Sequence, residues 1–259
     1  MQINVLASGS TGNATLFDFG KTKILVDAGI STRRIEKGLA GIGIRVGEID
    51  GVLITHEHTD HIKGLDVLIR RYRLPVYARG NTWDRIPCRD KLPAECRIEM
   101  KDIFDLGAVK IESFSISHDA IDPVGFCFYH RQGKYVMATD LGTVTEAVER
   151  ALEMSDAAVL ESNHDLKMLN EGPYPFFLKK RVRGQEGHLS NVDAGKLLSR
   201  ISRKNKMQVF LAHLSQQNNY PELAEKTVKQ ILLQNNCDVE KELILHRTYP
   251  DAIASLTSQ

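Results

Sequence analysis

The segment His-Glu-His-Thr-Asp-His at positions 56–61 constrains this chain more than any other part of its sequence. It follows a short apolar run, so its polar side chains begin where a β-strand is predicted to end. Alternate side chains of an extended segment point to the same side, so His56 and His58 can bind one ion. Asp60 and His61 follow where the chain turns toward a helix, and they can reach a second ion. The segment therefore predicts a metal site built from nitrogen and oxygen ligands.

Bulk properties are those of an ordinary globular protein. With 259 residues and 42% hydrophobic content, the chain can bury a large core as one domain or as two tightly packed halves. The net charge of +1 does not by itself indicate a nucleic-acid partner. The four cysteines form no Cys-x-x-Cys pair, as is typical of reduced thiols. Neither a signal peptide nor an apolar stretch of about 18 residues is evident, so we expect a cytoplasmic protein without a membrane span.

The order of predicted elements indicates the fold class. Strands come first, and strands mixed with helices follow, which is typical of sheets covered by helices in an α/β sandwich. The sequence contains no repeat and no long linker. Strands are predicted at 3–7, 14–19, 23–26, 51–55, 109–117, 124–129, 134–138, 157–160, 209–212 and 243–246. Helices are predicted after an N-cap at Ser31 and at 62–72, 143–152, 192–202 and 222–233.

Three further polar residues stand where predicted strands end, namely His118, Asp140 and His213. Ligands at one rim of a sheet can converge on one site. A single histidine at a strand end is more often a hydrogen-bonded structural residue. Three such positions in a chain that also carries the 56–61 segment favour metal binding.

With these motifs the chain resembles the metallo-β-lactamase-fold hydrolase superfamily over nearly its whole length, and in particular its short bacterial WalJ-type branch, related to ribonuclease Z and ribonuclease J. Asp27 is similar to the first motif of the superfamily, and the 56–61 segment to the second. His118, Asp140 and His213 are similar to the third, fourth and fifth. The resemblance implies an αββα sandwich of two mixed sheets flanked by helices, in a single domain over residues 1–259. Only 72 residues separate Asp140 from His213, too few for an inserted clamp domain.

The resemblance also implies a dinuclear centre of two divalent ions, Zn, Mn or Fe. One ion is expected to bind His56, His58 and His118. The other ion is expected to bind Asp60, His61 and His213, and Asp140 is expected to bridge the two ions. Asp27 is expected to fix a histidine ligand or the loop that carries it, without binding an ion itself. A bridging carboxylate argues against zinc β-lactamase activity. The enzyme classes of the superfamily that remain compatible with this ligand set are nucleases, small phosphodiesterases, lactonases and thioesterases.

Three local features favour phosphodiester substrates. The loop 8–13 resembles the small-residue loop of the nuclease branches, and its Ser8, Ser10 and Asn13 are candidate substrate-binding residues, although a plain hairpin turn has similar composition. Gly187-His188-Leu189-Ser190 resembles a Gly-His-x-Ser phosphate-binding element, with an ordinary helix cap at Ser190 and a surface His188 as the alternative.

The third feature is charge. Residues 170–206 hold nine Lys or Arg against three acidic residues, in a chain whose net charge is +1. Lys196, Arg200, Arg203 and Lys204 share one predicted helical face, which can follow a polyanion. Clusters of charged residues usually form solvent-exposed faces, so this feature adds only a little support for a polyanionic substrate.

We therefore expect a dinuclear-metal-dependent phosphodiesterase or nuclease, including a 5′-to-3′ exonuclease on single-stranded nucleic acid, that attacks with a metal-bridging hydroxide. Asp60 and His188 are the expected catalytic residues: Asp60 binds metal and orients the nucleophile, and His188 donates to the phosphate or the leaving oxygen. Glu161 is a candidate proton shuttle, with a structural carboxylate as the more common role.

Two functions are alternatives to a nuclease. One is a small-molecule hydrolase acting on a cyclic or activated phosphodiester, lactone or thioester, and the other is a non-catalytic metal-binding regulatory protein. The oligomeric state is open.

Overall fold

The computed structural model describes residues 1–204, 206–239 and 241–257. The chain forms two compact units. The first unit comprises Met1–Glu112, Ala120–Pro123 and Pro250–Gln259, and the second comprises Ser113–Asp119 and Val124–Tyr249. The prediction of a single domain over residues 1–259 stays a prediction.

The described residues form fourteen strands, nine α-helices and three short 3-10 helices. The strands are β1 (Gln2–Ala7), β2 (Ala14–Asp18), β3 (Lys23–Val26), β4 (Gly51–Leu53), β5 (Val76–Ala78), β6 (Arg97–Glu99), β7 (Ile103–Leu106), β8 (Val109–Ser115), β9 (Val124–His130), β10 (Gly133–Ala138), β11 (Ala157–Glu161), β12 (Met207–Ala212), β13 (Leu243–Arg247) and β14 (Ala254–Thr257). The helices are α1 (Thr32–Gly41), α2 (Thr59–Ile62), α3 (Leu65–Tyr72), α4 (Gly80–Arg85), α5 (Glu146–Leu152), α6 (Leu166–Glu171), α7 (Phe176–Val182), α8 (Asn191–Arg200) and α9 (Pro221–Gln234). The 3-10 helices are Val46–Glu48, Arg89–Lys91 and Ala94–Cys96.

The first unit is built on a mixed sheet with the strand order β14-β1-β2-β3-β4-β5-β6. The strands from β14 to β3 are antiparallel, and those from β3 to β6 are parallel. Val26 at the end of β3 is in register with Leu53 at the end of β4. Because parallel strands end at the same edge of a sheet, Asp27 and the 56–61 segment both leave the sheet at that edge.

Helices cover one face of this sheet. Ile35 and Leu39 of α1, together with Leu65 and Leu68 of α3, are fully buried in one apolar cluster. The same cluster contains Leu16, Leu25, Val52 and Val76, which are paired in register across the neighbouring strands β2, β3, β4 and β5. The helix predicted at 62–72 is divided into α2 and α3, which meet at Gly64. A Cβ at Gly64 would lie 2.1 Å from the Ile30 carbonyl oxygen, so the close approach of the backbone requires glycine here.

The second unit has the strand order β13-β12-β11-β10-β9, followed by the last residues of β8. The strands from β10 to β13 are parallel, and β9 and β10 form an antiparallel hairpin. Ala138 of β10 pairs with Leu160 of β11, which pairs with Leu211 of β12. This alignment brings the ends of three strands to one edge, and a polar residue follows each of them. Helices α5, α8 and α9 cover one face of the sheet through Val148, Leu197, Leu198 and Val228.

Two mixed sheets flanked by helices confirm the predicted α/β fold class. Among the described residues, no helix is long and apolar enough to cross a membrane.

Candidate metal centre

The structure groups the seven predicted metal ligands into two clusters, one in each unit. In the first unit, His56 Nε2 lies 3.1 Å from His58 Nδ1. The His56 and His61 ring centroids are 4.1 Å apart, and Asp60 Oδ2 lies 3.6 Å from His61 Nε2. His56 and His61 are fully buried. The expected convergence of the 56–61 segment is present, with three imidazoles and one carboxylate side by side.

Asp27 holds this cluster from beneath, as the first-motif resemblance implies. Its fully buried carboxylate lies 2.7 Å from His61 Nδ1 and accepts hydrogen bonds from the backbone and hydroxyl of Thr55. The Thr55 hydroxyl also lies 3.0 Å from His56 Nδ1. A carboxylate at one imidazole nitrogen fixes the ring and leaves the other nitrogen for a metal. Thr55 was not predicted from the sequence.

The loop 8–13 supports the backbone of the same segment. The Asn13 amide donates to the Asp60 carbonyl at 2.8 Å, and the Asn13 side chain lies 3.3 Å from His61 Nε2. Ser8 is buried and Ser10 is exposed. Asn13 therefore helps to position the 56–61 segment. The predicted substrate contacts of Ser8, Ser10 and Asn13 stay predictions.

Replacing Gly29 with alanine is expected to lower the free energy of unfolding by about 3 kcal/mol or more. A Cβ at this position would lie 1.6 Å from the Asp60 carbonyl oxygen and 2.7 Å from the Asn13 amide nitrogen. The Asp60 carbonyl cannot move without displacing the 56–61 segment, and movement of the Asn13 amide would break its hydrogen bond to that carbonyl. Urea denaturation measures the effect, with Gly47→Ala as the matched control, because nothing lies within 4 Å of that added methyl group. Equal stability of the two variants would contradict this close packing.

The second unit brings His118, Asp140 and His213 together. Asp140 Oδ1 lies 3.7 Å from His118 Nε2 and 3.3 Å from His213 Nδ1. All three side chains are 2 or 3% exposed. His118 Nδ1 lies 3.1 Å from the Gly187 carbonyl, to which it can donate, and this leaves Nε2 for a metal. Burial lowers the pKa of His118, which favours the neutral imidazole that metal binding needs.

Glu161 connects His213 with His188. Its Oε1 lies 2.8 Å from His213 Nδ1 and 2.9 Å from His188 Nδ1. Its Oε2 accepts hydrogen bonds from the amides of Leu141 and Leu189, at 2.6 Å and 3.0 Å. Burial alone would raise the pKa of Glu161, but the charges and hydrogen bonds of His188 and His213 outweigh it and lower that pKa. With these four contacts Glu161 is placed to orient both imidazoles, which is the structural role that the sequence favoured over a proton shuttle.

His188 lies beside the ligands of the second unit. Its Nδ1 is 3.9 Å from Asp140 Oδ1, and its ring centroid is 5.1 Å from those of His118 and His213. The side chain is 23% exposed, so it can reach a substrate. Ser190, by contrast, is buried, and its hydroxyl caps α8 by accepting from the Asp193 amide at 3.1 Å. The predicted substrate contact of Ser190 stays a prediction.

Three of the predicted site residues have left-handed backbone conformations. The φ angles are 62° at Asp27, 61° at Asp140 and 55° at His213, and each residue follows the end of a strand. Non-glycine residues adopt such angles rarely, and they concentrate at functional sites. The backbone therefore turns sharply at each strand end to direct the side chain.

The prediction that Lys196, Arg200, Arg203 and Lys204 form a basic stripe on one helical face is wrong. Helix α8 ends at Arg200, so Arg203 and Lys204 lie beyond it. Arg200 pairs with Glu149, and Arg203 pairs with Glu242 at 2.7 Å. Lys204 pairs with Asp156 at 2.9 Å. The partners come from distant parts of the sequence, and they neutralise most of this charge.

Both clusters fit divalent transition-metal ions. Their donors are imidazole nitrogens and carboxylate oxygens, which suit Zn, Mn and Fe. In the second unit, candidate ligand atoms of Asp140, Glu161, His188 and His213 lie within 4.8 Å of one another. Two supporting residues were not predicted from the sequence: Asp119, whose Oδ1 lies 3.5 Å from His118 Nε2, and Asn163, which donates to the His213 carbonyl at 2.7 Å.

Comparison with known sequences agrees with the family resemblance found in the sequence motifs. The profile of the beta-lactamase superfamily domain matches residues 22–213, a range that contains all seven predicted ligands. Exodeoxyribonuclease YycJ of Bacillus anthracis is 38% identical over 256 residues, covering 96% of each chain. Exodeoxyribonuclease WalJ of Streptococcus pneumoniae is 37% identical over 260 residues, covering 98% of this chain and 96% of the relative.

Comparison with solved structures supports the fold alone. Zn(2+)-bound PqqB from Methylobacterium extorquens superposes with a TM-score of 0.74 at 16% identity, covering 99% of this chain and 100% of PqqB. The agreement confirms the predicted fold type. Because the superfamily profile covers most of the chain and the relatives cover nearly all of it, this chain belongs to the metallo-β-lactamase-fold superfamily, in the branch of the YycJ and WalJ exodeoxyribonucleases.

Proposed function

We propose that this protein is a metal-dependent exonuclease that hydrolyses phosphodiester bonds of single-stranded DNA. The observation that carries the proposal is the second-unit cluster, in which Asp140 Oδ1 lies 3.3 to 3.9 Å from a nitrogen of His118, His188 and His213. Such a cluster suits a phosphodiesterase, and the near-full-length relatives carry the name exodeoxyribonuclease.

The proposed ligands, which would hold two divalent ions, are His56, His58, Asp60, His61, His118, Asp140 and His213. When bound, the ions supply Lewis-acid activation of water and neutralise charge on the phosphoryl group. The donor set is compatible with Zn, Mn or Fe, and metal supply decides among them.

The chain itself orients these groups. Asp27 and Glu161 each place a carboxylate against an imidazole Nδ1, in His61 and His213. Ligand geometry is thereby set before a substrate arrives, and this preorganisation lowers the barrier to reaction. We assign Asp60, whose side chain is 27% exposed, to metal binding and to orienting the attacking water.

His188 is the proposed donor to the substrate. The Glu161 carboxylate accepts from Nδ1–H, so His188 donates from Nε2 as the imidazolium, giving a hydrogen bond to a phosphate oxygen or its Nε2 proton to the leaving oxygen. Such a donor typically contributes about 10²- to 10⁴-fold to the rate.

The proposal is tested with single-stranded DNA and RNA labelled at the 5′ or the 3′ end. The Mn- or Zn-loaded protein is expected to shorten DNA progressively, and the label patterns give the direction, for which we propose 5′-to-3′. Asp60→Ala, purified in parallel, is expected to lose this activity. Turnover of a lactone, a thioester or a small diester without cleavage of any strand would replace the proposal with a small-molecule hydrolase.

A further inference from the structure

Helix α7 exposes two aromatic side chains. Phe176 is 82% exposed and Phe177 is 73% exposed. All residues of α7 are described, and none of them is buried. The helix therefore has no core face that would explain its phenylalanines. Neighbouring exposed aromatic residues usually mark a binding surface.

The same helix carries basic residues that no carboxylate neutralises. Phe176, Lys179 and Lys180 of α7 and its C-cap residue Arg183 follow the spacing i, i+3, i+4 and i+7. Arg183 keeps a right-handed helical conformation, so the four residues share one face. Together with Asn170 and Gly184 they line a groove of about 640 Å³. Within residues 1–204, 206–239 and 241–257, none of these three cations forms an ion pair, in contrast to Arg200, Arg203 and Lys204.

The basic side chains are held in place by neutral partners. Lys179 Nζ donates to the Asn170 carbonyl at 2.6 Å, and Arg183 Nη1 donates to Asn170 Oδ1 at 2.9 Å. These contacts orient the two cations and leave their positive charge uncompensated. The groove thus presents an aromatic ring and fixed positive charge together.

Short contacts tie α7 to the site. The His188 amide donates to the Val182 carbonyl at 2.9 Å, and Arg181 pairs with Asp119 at 2.7 Å. Gly187, whose carbonyl contacts His118, packs so closely that a Cβ would lie 2.3 Å from the carbonyl oxygens of Arg181 and Val182. A ligand on α7 is therefore a few residues from the proposed phosphate donor.

We propose that the groove residues Phe176, Lys179, Lys180 and Arg183, together with the neighbouring exposed Phe177, form a surface that binds the single strand next to the nucleotide being cleaved. The rings stack on bases, and the cations contact phosphates. Stacking needs unpaired bases, whereas a duplex hides the base faces, so the surface selects single-stranded DNA. The inference rests on the proposed function and adds to it the element that recognises the strand.

The test measures binding separately from cleavage. Affinity of the Mn-loaded protein for a fluorescent single-stranded phosphorothioate DNA is measured by anisotropy. Phe176→Ala with Phe177→Ala is expected to weaken binding at least about fivefold, the lower end for loss of one stacked base. Phe176→Tyr, which keeps the aromatic ring, is expected to retain the wild-type affinity for single-stranded DNA. Lys180→Ala is expected to reduce the salt slope of log K by about 0.7, as for one lost phosphate contact on a single strand.

Matched controls are available on α9. Leu233→Ala removes an apolar side chain that is 63% exposed, and Lys226→Ala removes an exposed cation; neither is expected to change binding. Hydrolysis of a small diester, bis(p-nitrophenyl) phosphate, is expected to be equal in the α7 variants and the wild type, which shows that the site is intact.

Unchanged affinity of the double phenylalanine variant would overturn the inference. Loss of binding to anionic phosphatidylglycerol vesicles with unchanged DNA affinity would also overturn it, by assigning α7 to a membrane surface. Failure of the proposed function is distinguished from failure of this inference by the wild-type protein. If the proposed function is wrong, the wild type does not degrade ordinary single-stranded DNA, whatever the affinity of the α7 variants.

Discussion

Replacing Asp140 with alanine is expected to lower metal-dependent degradation of single-stranded DNA by at least about 10³-fold, since metal ions supply several kcal/mol of transition-state stabilisation. Asp140 is 2% exposed, and its Oδ1 lies within 3.9 Å of a nitrogen of each of three histidines, so its removal takes a shared carboxylate out of the whole second-unit cluster. Rates on end-labelled DNA at saturating metal measure the effect.

The control is Asp105→Ala, which removes an exposed carboxylate from β7. It is expected to keep the wild-type rate. Circular dichroism and thermal melting of both variants distinguish loss of chemistry from loss of fold. A folded Asp140→Ala protein with a rate within tenfold of wild type would contradict the assignment of Asp140 as a metal ligand.

Replacing Glu161 with glutamine is expected to weaken metal affinity about 10- to 100-fold, as is typical when a group supporting a ligand is lost. The carboxylate accepts from two backbone amides and contacts two imidazoles. An amide in its place can satisfy the backbone only with its oxygen, so its NH₂ group faces the imidazoles. His213 would then accept at Nδ1 and carry its proton on Nε2, which removes the lone pair for a metal.

Glu161→Ala separates this effect from stability. It leaves the amides of Leu141 and Leu189 buried without an acceptor, so we expect a loss of about 3–5 kcal/mol in the free energy of unfolding. Glutamine, which fills the same volume, should cost less. Metal titration followed by calorimetry, with urea denaturation of the metal-free proteins, gives both quantities. Unchanged metal affinity in a folded Glu161→Gln protein would show that Glu161 has no positioning role.

The positions of the candidate metal ligands were predictable because each follows a strand whose apolar residues are visible in the sequence. His118, Asp140 and His213 follow such runs, and the register of parallel strands brings Asp140 and His213 to one edge. The 56–61 segment is local, so its spacing alone places its side chains together.

The remaining features depend on contacts between distant residues. β14 pairs with β1 from the other end of the chain, and α7 has no buried periodicity by which a helix can be recognised. The role of Glu161 depends on two histidines 27 and 52 residues away. The charge of Arg203 was misjudged for the same reason, since its partner Glu242 lies 39 residues further on.

The most direct test of the account is DNA degradation as a function of bound metal. Protein stripped with a chelator is reloaded stepwise with Mn or Zn, the metal content per chain is measured by mass spectrometry, and degradation of labelled single-stranded DNA is followed on the same samples. The account predicts no degradation without metal and full activity as occupancy approaches two ions per chain. Undiminished degradation by protein that holds less than about a tenth of an ion per chain would contradict it.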